Sequence, residues 1–507
     1  MEYLIGIDVG TTGIKTVIFN PEGKAISSAF ELCSLNTPYP NWAEQNPEEW
    51  WESTKLSLKR ALSTSQIKPS QIKGIGLSGQ MHGAVLLDKG CQVLRPCILW
   101  CDQRTSSQCK WIIDKLGEKR LASITGNTAL PGFTAPKVVW VRDNEPEIYE
   151  KIDKVLLPKD YIRFRLTNVI ATEVSDAAGS LLFDINKREW SKEILEKMKI
   201  PKDWMPKCFE SIDVCGRISK KVAKETGLKE GIAVVGGGAD NTCSAVGTGI
   251  VKEGKLSSSI GTSGVVLAYT PKVKRDPLFR THTFCHSVPH RWYVMGVMQS
   301  AGLSLRWFRD TLGMLETKLG ELSGIDPYFF FSKEAERVRP GSEGLIFLPY
   351  LMGERTPHLN PNAKGTLFGL TMRHRREDII RAIMEGVVYG LKDSLQIIKS
   401  INIDVDEIRV TGGGARSKLW CQIQADVFGQ EVVTLGSEEG PALGAAILAA
   451  VGVNLYTTVE EAVEKMVKIG PSLEPIAENV RRYEEYHQLF QSLYRDLKED
   501  FDKVSEV

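Results

Sequence analysis

Apolar residues in the first 90 positions occur in short runs that glycine-rich turns separate, a pattern typical of β-strands. Residues 3–8 and 14–19 form two such runs around a turn at 9–13, and together they predict a β-hairpin. Residues 72–78 and 84–88 predict two further strands. The N-terminal part of the chain is therefore expected to be rich in β-structure.

Helical patterns fill the longer segments between the strands. Pro47, Glu48 and Glu49 place a proline and two carboxylates in the first turn of a helix predicted over 47–65. Further helices are predicted over 104–120, 134–143 and 191–198. The charged segment from 479 to 507 also has helical periodicity and predicts a solvated terminal helix. Strands and helices thus mix along the chain, as in an α/β protein.

An internal repeat organises the sequence. Residues 9–14 (Val-Gly-Thr-Thr-Gly-Ile) resemble 260–265 (Ile-Gly-Thr-Ser-Gly-Val). A second pair of glycine-rich segments, 235–240 and 410–416, is also similar in sequence. The spacing of about 250 residues is too long for a solenoid and predicts a duplicated domain. The alternative is that the two Gly-Thr turns are unrelated.

The division between the two units is expected in the glycine-rich stretch 247–254, which gives units of 1–246 and 247–507. A chain of 507 residues is too long for one ordinary domain, so the length agrees with this division.

Composition narrows the class of protein. Hydrophobic residues at 42% and charged residues at 25% exclude disordered, collagen-like and coiled-coil chains. Lys and Arg number 64 against 63 Asp and Glu, so no net charge attracts nucleic acid or an anionic membrane. The start of the chain lacks a signal-peptide pattern, and no apolar run approaches about 18 residues. A cytoplasmic protein without a membrane or nucleic-acid partner is expected.

Cysteine and histidine offer one candidate metal site. The ten cysteines form no C-x-x-C pair and are expected to be reduced, structural thiols. His282, Cys285, His286 and His290 lie within nine residues, and a strand would place the three histidines on one face. The same stretch reads as a hairpin with a proline turn, in which buried or surface histidines explain the pattern without a metal.

Phosphate binding is suggested by the two Gly-Thr turns. Glycine allows close approach of the backbone, and successive N–H groups with threonine hydroxyls bind oxyanions. The first turn is not a P-loop, because Lys15 does not directly follow the glycine. Residues 74–79 match G-x-G-x-x-G by letter but lie within an apolar strand, which argues against a dinucleotide site.

Two aspartates precede glycine-rich turns of the kind that bind phosphate. Asp8 ends an apolar strand two residues before the first turn, and Asp240 ends the apolar segment 232–240. A carboxylate there is costly unless it meets a cation or hydrogen-bond donors, so Asp8 suits Mg²⁺ carried by a nucleotide. The alternative for each is a capping residue of a helix or turn. Their pairing favours phosphoryl transfer, with one carboxylate near the metal and the other near a substrate hydroxyl.

Seven motifs in order resemble those of the FGGY family of carbohydrate kinases, within the actin-, Hsp70- and hexokinase-like superfamily. They cover nearly the whole chain. They lie at 6–15, 42–51, 98–105, 132–144, 259–264, 365–385 and 412–417. The resemblance implies two ribonuclease-H-like α/β lobes around a deep cleft, each with a mixed five-stranded sheet and helices on both faces.

The resemblance also implies roles for individual residues. Asp240 is the expected base, Asp8 the expected Mg²⁺ ligand through water, and ATP and Mg²⁺ the cofactors. The expected ATP contacts are Thr11, Thr12, Lys15, Gly261, Thr262, Gly302, Gly413, Gly414 and Ala415. Lys418 departs from the asparagine of the family's glycerol kinases, and Gly302 equally suits a helix start. Family members are often homodimers, but no residue here identifies an interface.

Substrate class is read from Met81 and His82, which stand where glycerol kinases carry Arg-Glu and which match members acting on xylulose. With Asp240 and Asn241 they are expected to contact the sugar, so D-xylulose is the expected substrate. Another sugar or polyol (ribulose, L-xylulose or gluconate) is one alternative. A non-catalytic actin-like ATP-binding sensor is another.

Overall fold

The computed structural model describes residues 2–436 and 439–506. Its first half is built on a sheet of seven strands. In chain order these are Tyr3–Val9, Gly13–Phe19, Ala25–Leu32, Ile72–Gly79, Val214–Arg217, Ala233–Val235 and Gly238–Ala239. The first three strands form an antiparallel meander, and Ile72–Gly79 runs parallel to Tyr3–Val9. The predicted N-terminal hairpin is confirmed, with Asp8 directly opposite Lys15.

The second half is built on another seven-stranded sheet. Its strands are Gly254–Ile260, Gly264–Thr270, His282–Cys285, Trp292–Met298, Val405–Thr411, Val432–Leu435 and Ile469–Leu473. Gly254–Ile260 pairs antiparallel with Gly264–Thr270 and parallel with Val405–Thr411. The hairpin between His282 and Met295 is confirmed, because these two residues are directly paired across it.

The expected number of five strands per sheet is wrong, because each sheet has seven. Five strands in each sheet share the same order and directions. The additional strands are Val214–Arg217 and Gly238–Ala239 in the first sheet, and His282–Cys285 and Ile469–Leu473 in the second. They occupy or extend the outer parts of each sheet, where otherwise free backbone groups find partners.

Strand order shows that only one of the two pairs of similar segments occupies equivalent positions in the two sheets. Residues 10–13 and 261–263 follow equivalent first strands, so the first pair of segments is structurally equivalent. The second pair is not equivalent. In chain order among the five shared strands, 410–416 follows the fourth strand of its sheet, whereas 235–240 follows the fifth. The equivalent of 410–416 in the first half is the segment around Met81.

Helices cover both faces of the first sheet. The first-half helices are Pro47–Ser65, Ser106–Leu116, Glu118–Thr125, Thr134–Asn144, Pro146–Tyr149, Pro158–Thr167, Val174–Ala178, Lys192–Met198, Lys220–Thr226 and Asp240–Gly247. Pro47–Ser65 packs its Trp50 and Leu58 against Ile5 and Ile7 on one face. Asn46 caps this helix by accepting a hydrogen bond from the N–H of Glu48, so the prediction over 47–65 is confirmed.

The predicted helix over 104–120 is wrong as a single element. Gly117 divides it into Ser106–Leu116 and Glu118–Thr125, with φ of 77° at the glycine. A residue with positive φ cannot continue an α-helix, and glycine adopts this conformation without a steric penalty. The helices predicted over 134–143 and 191–198 are confirmed as Thr134–Asn144 and Lys192–Met198.

The second-half helices are Gly302–Leu312, Met314–Ser323, Pro327–Ala335, Arg376–Ser400, Lys418–Phe428, Gly440–Gly452, Val459–Met466 and Ala477–Glu506. Arg376–Ser400 forms the centre of a hydrophobic core against the second sheet. The terminal helix is confirmed, but it is not fully solvated. Tyr483, His487 and Phe490 are buried along one face.

Helix Gly440–Gly452 covers the first sheet although it follows the second sheet in the chain. A Cβ added at Gly6 would lie 1.9 Å from the carbonyl oxygen of Ala442, and one at Gly76 would lie 1.9 Å from that of Ala445. Glycine in these strands therefore permits a close helix–sheet contact. The same helix packs against Asp240–Gly247, where Gly247 meets Gly440.

None of the helices within 2–436 and 439–506 combines the length and apolarity that a membrane span requires. All ten cysteines lie in the described part and are free.

Candidate active site

A cavity of about 180 Å³ lies where the two halves face each other. Its lining residues from the first half are Met81, His82, Trp100, Leu130, Gly132, Phe133, Asp240 and Asn241. Those from the second half are Ser263, Val265, His282, Met295, Val297 and Arg355. The structure thus brings all four residues predicted to contact a sugar to one cavity.

Asp240 is the first residue of helix Asp240–Gly247. Its Oδ1 accepts hydrogen bonds from the backbone N–H of Asn241 at 2.7 Å and from the Asn241 amide at 3.1 Å. Burial raises the pKa of Asp240 to about 7, and the charge of Asp8 adds to the rise. A carboxyl group with a pKa near neutrality is suited to accept a proton from a substrate hydroxyl.

Asp8 lies near the end of strand Tyr3–Val9. Burial raises its pKa, while the Ser78 hydroxyl and the charge of Lys15 oppose the rise. Its Oδ1 is buried and has no hydrogen-bond partner among the described residues. An unsatisfied carboxylate oxygen fits a site for a hydrated cation.

Met81, His82 and Asn241 form one wall of the cavity. The Asn241 amide contacts the Met81 sulfur at 3.5 Å. His82 has φ of 68°, and its Nδ1 lies 2.6 Å from the carbonyl oxygen of Gly179. Because a carbonyl only accepts, Nδ1 carries the proton and Nε2 is an acceptor. Burial lowers the pKa of His82 to about 3, so the ring is neutral near pH 7.

The first Gly-Thr turn is held from several sides. The N–H of Gly10 donates to the carbonyl of Gly13 at 3.0 Å. The Thr11 hydroxyl donates to Gln80 at 2.8 Å and accepts from the Trp100 indole at 3.0 Å. Thr12 is exposed. Its hydroxyl is thus better placed than that of Thr11 to meet a ligand.

Lys15 forms an ion pair with Glu439, with 2.6 Å between Nζ and Oε2. Lys15 lies on strand Gly13–Phe19, and Glu439 directly precedes helix Gly440–Gly452. The expected contact between Lys15 and ATP would require this pair to open. Within this structure, Lys15 joins the first sheet to the helix that covers it.

The second Gly-Thr turn contacts the start of helix Gly302–Leu312. The Gly302 N–H donates to the carbonyl of Gly261 at 2.8 Å, and the Leu303 N–H donates to that of Thr262 at 3.1 Å. A Cβ at Gly302 would lie 2.4 Å from the Gly261 oxygen. Gly302 is thus both a helix start and a support for this turn, whose Gly261 and Thr262 are exposed.

The third glycine-rich segment lies beside the second turn. Gly412 has φ of 75°, and helical turn Gly413–Arg416 follows it. A Cβ at Gly414 would lie 2.6 Å from the Ile260 side chain, so Gly414 packs against the strand that precedes Gly261. Gly413 is exposed and Ala415 is half-buried. Lys418 is exposed at the start of helix Lys418–Phe428.

Ten of the fourteen lining residues were not predicted as site residues, among them Trp100, Phe133, His282 and Arg355. Trp100 and Phe133 lie inside motifs noted in the sequence, so their position in those motifs was an available signal. His282 was considered as a metal ligand or as a buried or surface histidine, and not as a sugar contact. Arg355 gave no signal, because an isolated arginine in an irregular segment has no diagnostic pattern.

The candidate metal cluster is dispersed by the hairpin. His282 Nδ1 lies 2.9 Å from Asn127 Oδ1, and His286 Nδ1 accepts from the Val288 N–H at 3.0 Å. His290 is exposed at the turn. Over the described ranges, no group of three or more His, Cys, Asp or Glu side chains is arranged to hold a metal ion.

The two similar α/β sheets, the cavity between them and the buried carboxyl pair define a two-lobed protein of the actin and hexokinase type. Residues 3–247 match the N-terminal domain of the FGGY family of carbohydrate kinases, and residues 256–453 match its C-terminal domain. The chain belongs to this family, and so to the ATP-dependent sugar kinases.

Individual relatives cover nearly the whole chain. Xylulose kinase from Bacillus subtilis (strain 168) is 42% identical over 98% of this chain and 98% of its own. Gluconokinase from the same strain is 33% identical over 99% and 98%. The crystal structure of xylulose kinase from Rhodospirillum rubrum has a TM-score of 0.90 at 27% identity, covering 99% of this chain and 100% of its own.

Proposed function

We propose that this chain transfers the γ-phosphate of ATP to the terminal hydroxyl of D-xylulose, giving D-xylulose 5-phosphate and ADP. The observation that carries the proposal is the position of Asp240, whose pKa is about 7, in one cavity with Met81, His82 and Asn241. The xylulose kinase at 42% identity supports the choice of sugar.

The chemistry follows from the carboxyl group. The Asp240 carboxylate accepts the proton of the sugar's terminal hydroxyl, whose oxygen forms a bond to the γ-phosphorus. The bond from that phosphorus to the bridging oxygen breaks, and ADP leaves. Positioned general bases typically contribute about 10²–10⁴-fold to the rate. Asn241 fixes the carboxylate orientation through its two hydrogen bonds.

The ATP-binding residues are proposed from the three glycine-rich segments. Phosphate binding is supported at the four exposed residues of these segments, which are Thr12, Gly261, Thr262 and Gly413. The other residues of the predicted ATP site are proposed to hold these segments in place. They are Thr11, Gly302, Gly414 and Ala415. The proposed role of Lys15 at ATP depends on release of Glu439.

Mg²⁺ carried by ATP is proposed to be held near Asp8, where it would neutralise charge on the phosphates. The buried, unsatisfied Asp8 Oδ1 supports this placement. We further propose that residues 1–246 and 247–507 act as two lobes, because each sheet lies within one of these ranges. A homodimer and a cytoplasmic location stay predictions from the sequence.

The test is ADP release with Mg²⁺-ATP and D-xylulose, L-xylulose, D-ribulose, gluconate, glycerol or no sugar. D-xylulose is expected to give the highest kcat/KM by tenfold or more, which is about 1.4 kcal/mol of transition-state discrimination. A different preferred sugar would retain the kinase mechanism and refute the assignment of Met81 and His82. No turnover with any sugar would favour the sensor alternative.

Asp240→Asn is the informative variant, since it keeps the side-chain shape and removes the base. Turnover is expected to fall at least about 100-fold, while D-xylulose still binds in calorimetry. Asp114→Asn, at an exposed helical position, is the matched control. Retained turnover in Asp240→Asn would contradict the assignment of the base.

A further inference from the structure

Arg355 places a guanidinium in the cavity without a protein partner. Within the described ranges no hydrogen bond or ion pair joins its side chain to another residue, although the group lines the cavity. The neighbouring Glu354 carboxylate accepts instead from the backbone N–H groups of Gln299 at 2.9 Å and Arg355 at 2.7 Å. A guanidinium has five N–H donors and no acceptor, so acceptor oxygens of water or of a ligand in the cavity must satisfy it.

Two histidines complement this donor with acceptors. Asn127 donates its amide N–H groups to the carbonyls of Thr125 at 3.0 Å and Thr283 at 2.9 Å, so its Oδ1 faces His282. His282 Nδ1 must therefore carry the proton, and its Nε2 is an acceptor. His82 has the same tautomer through Gly179. Burial lowers the pKa of both imidazoles, which keeps the two acceptors uncharged.

Arg355 lies beside the strand that begins at His282. The hydroxyl of the next residue, Thr356, donates to the carbonyl of Arg280 at 2.7 Å and accepts from the N–H of Val297 at 3.0 Å. In agreement with this position, the charge of Arg355 lowers the pKa of both His82 and His282. The pKa of Asp240, in contrast, is set by burial, Asp8 and the Asn241 N–H. If the reacting hydroxyl lies at Asp240, the opposite end of the sugar lies at Arg355.

We infer that Arg355, His82 and His282 recognise the α-hydroxyketone end of the substrate. Arg355 donates to the C2 carbonyl oxygen, and the two Nε2 atoms accept from hydroxyl groups. The inference deepens the proposed function and rests on it. An aldonate is the competing ligand, because its C1 carboxylate would attract Arg355. The two histidine lone pairs favour hydroxyl groups over carboxylate oxygens and so select against it. The arrangement also disfavours a polyol, whose C2 hydroxyl is a weaker acceptor for a cation.

The test compares D-xylulose with xylitol, in which the C2 carbonyl is reduced to a hydroxyl. Calorimetry measures the affinity for each without ATP, and ADP release measures turnover separately. Arg355→Met is expected to weaken D-xylulose binding by about 10–100-fold, the usual range for a lost hydrogen bond to a charged group. Xylitol binding is expected to change less than about threefold. Arg355→Lys keeps the charge and three N–H donors but loses the planar guanidinium, and should restore part of the preference for the ketose.

The two proposals fail in different ways. Wild-type protein that binds D-xylulose over xylitol but releases no ADP would refute only the kinase function. Equal losses for both ligands in Arg355→Met, or no loss, would show a structural role and overturn the inference. No binding of D-xylulose to wild type, or tighter binding of gluconate, would also overturn it. If Arg355→Met does not fold, the Arg355→Lys ratio of ketose to polyol affinity decides.

Discussion

At the scale of single residues, the pKa of Asp240 makes the proposed reaction sensitive to pH. Burial and the nearby charge of Asp8 raise this pKa to about 7. The carboxyl group must be ionised to accept a proton, and its ionised fraction falls tenfold per pH unit below the pKa. His82, with a pKa of about 3, is neutral throughout this range and adds no second transition.

We therefore expect kcat/KM for D-xylulose to be constant above about pH 8 and to fall with unit slope below pH 7. At pH 5 it should be about 100-fold below the plateau. Initial rates between pH 5 and 9, with the coupling enzymes in excess at each pH, check this. A flat profile from pH 5 to 7.5 would contradict the assignment of Asp240 as the base.

The residues brought to the cavity show what sequence reasoning can reach. Met81, His82, Asp240 and Asn241 were predicted together because the resemblance to the FGGY family implies that these positions contact the sugar. In the structure each pair follows a strand of the first sheet. Arg355 and His282 were missed as ligand contacts, because their role depends on which neighbouring groups leave them unpaired. Only the packing of Glu354 and Asn127 reveals which nitrogen atoms stay available.

At the scale of elements, strong local signals gave correct boundaries. Helix Pro47–Ser65 was predicted in full because proline and acidic residues mark its first turn. The structure adds Asn46 as its cap. The break at Gly117 was missed because its positive φ depends on how two short helices pack. Strands Val214–Arg217 and Ile469–Leu473 were missed because strands of four or five residues carry little periodicity.

The contact between helix Gly440–Gly452 and the first sheet depends on glycine. Gly76→Ala would place a methyl group 1.9 Å from the Ala445 carbonyl oxygen, and the helix backbone cannot yield without moving. We expect the free energy of unfolding to fall by about 3 kcal/mol, at the upper end of overpacking costs. Urea denaturation measures the change.

Gly90→Ala is the control for this substitution. Gly90 lies in an exposed turn, and its added Cβ would come no closer than 3.3 Å to the Asp88 carboxylate and 4.0 Å to the Gln92 side chain. It should change stability by less than about 0.5 kcal/mol. Equal stability of Gly76→Ala and wild type would mean that the helix is not held this closely in solution.

At the scale of the whole molecule, the cavity takes residues from both halves. Asp240 and His82 come from the first half, and His282 and Arg355 from the second. A sugar that contacts both sets adds attraction between the halves. The helices that begin at Asp240 and Gly440 pack closely where the halves meet, with Gly247 against Gly440 and Gly444 against Cys243. This arrangement connects ligand binding to the relative position of the lobes.

We expect D-xylulose with a non-hydrolysable ATP analogue to close the lobes and to exclude water from the phosphoryl group. Small-angle X-ray scattering should show a smaller radius of gyration with both ligands than with neither. The Asp240→Asn variant should still close, because it retains the hydrogen-bonding shape of the site. The Arg355→Met variant should close less with D-xylulose, because one lobe loses its contact with the sugar. Identical scattering with and without both saturating ligands would show that the lobes keep one fixed arrangement. In that case the positions of Asp8 and Asp240 alone would have to limit the hydrolysis of ATP in the absence of sugar.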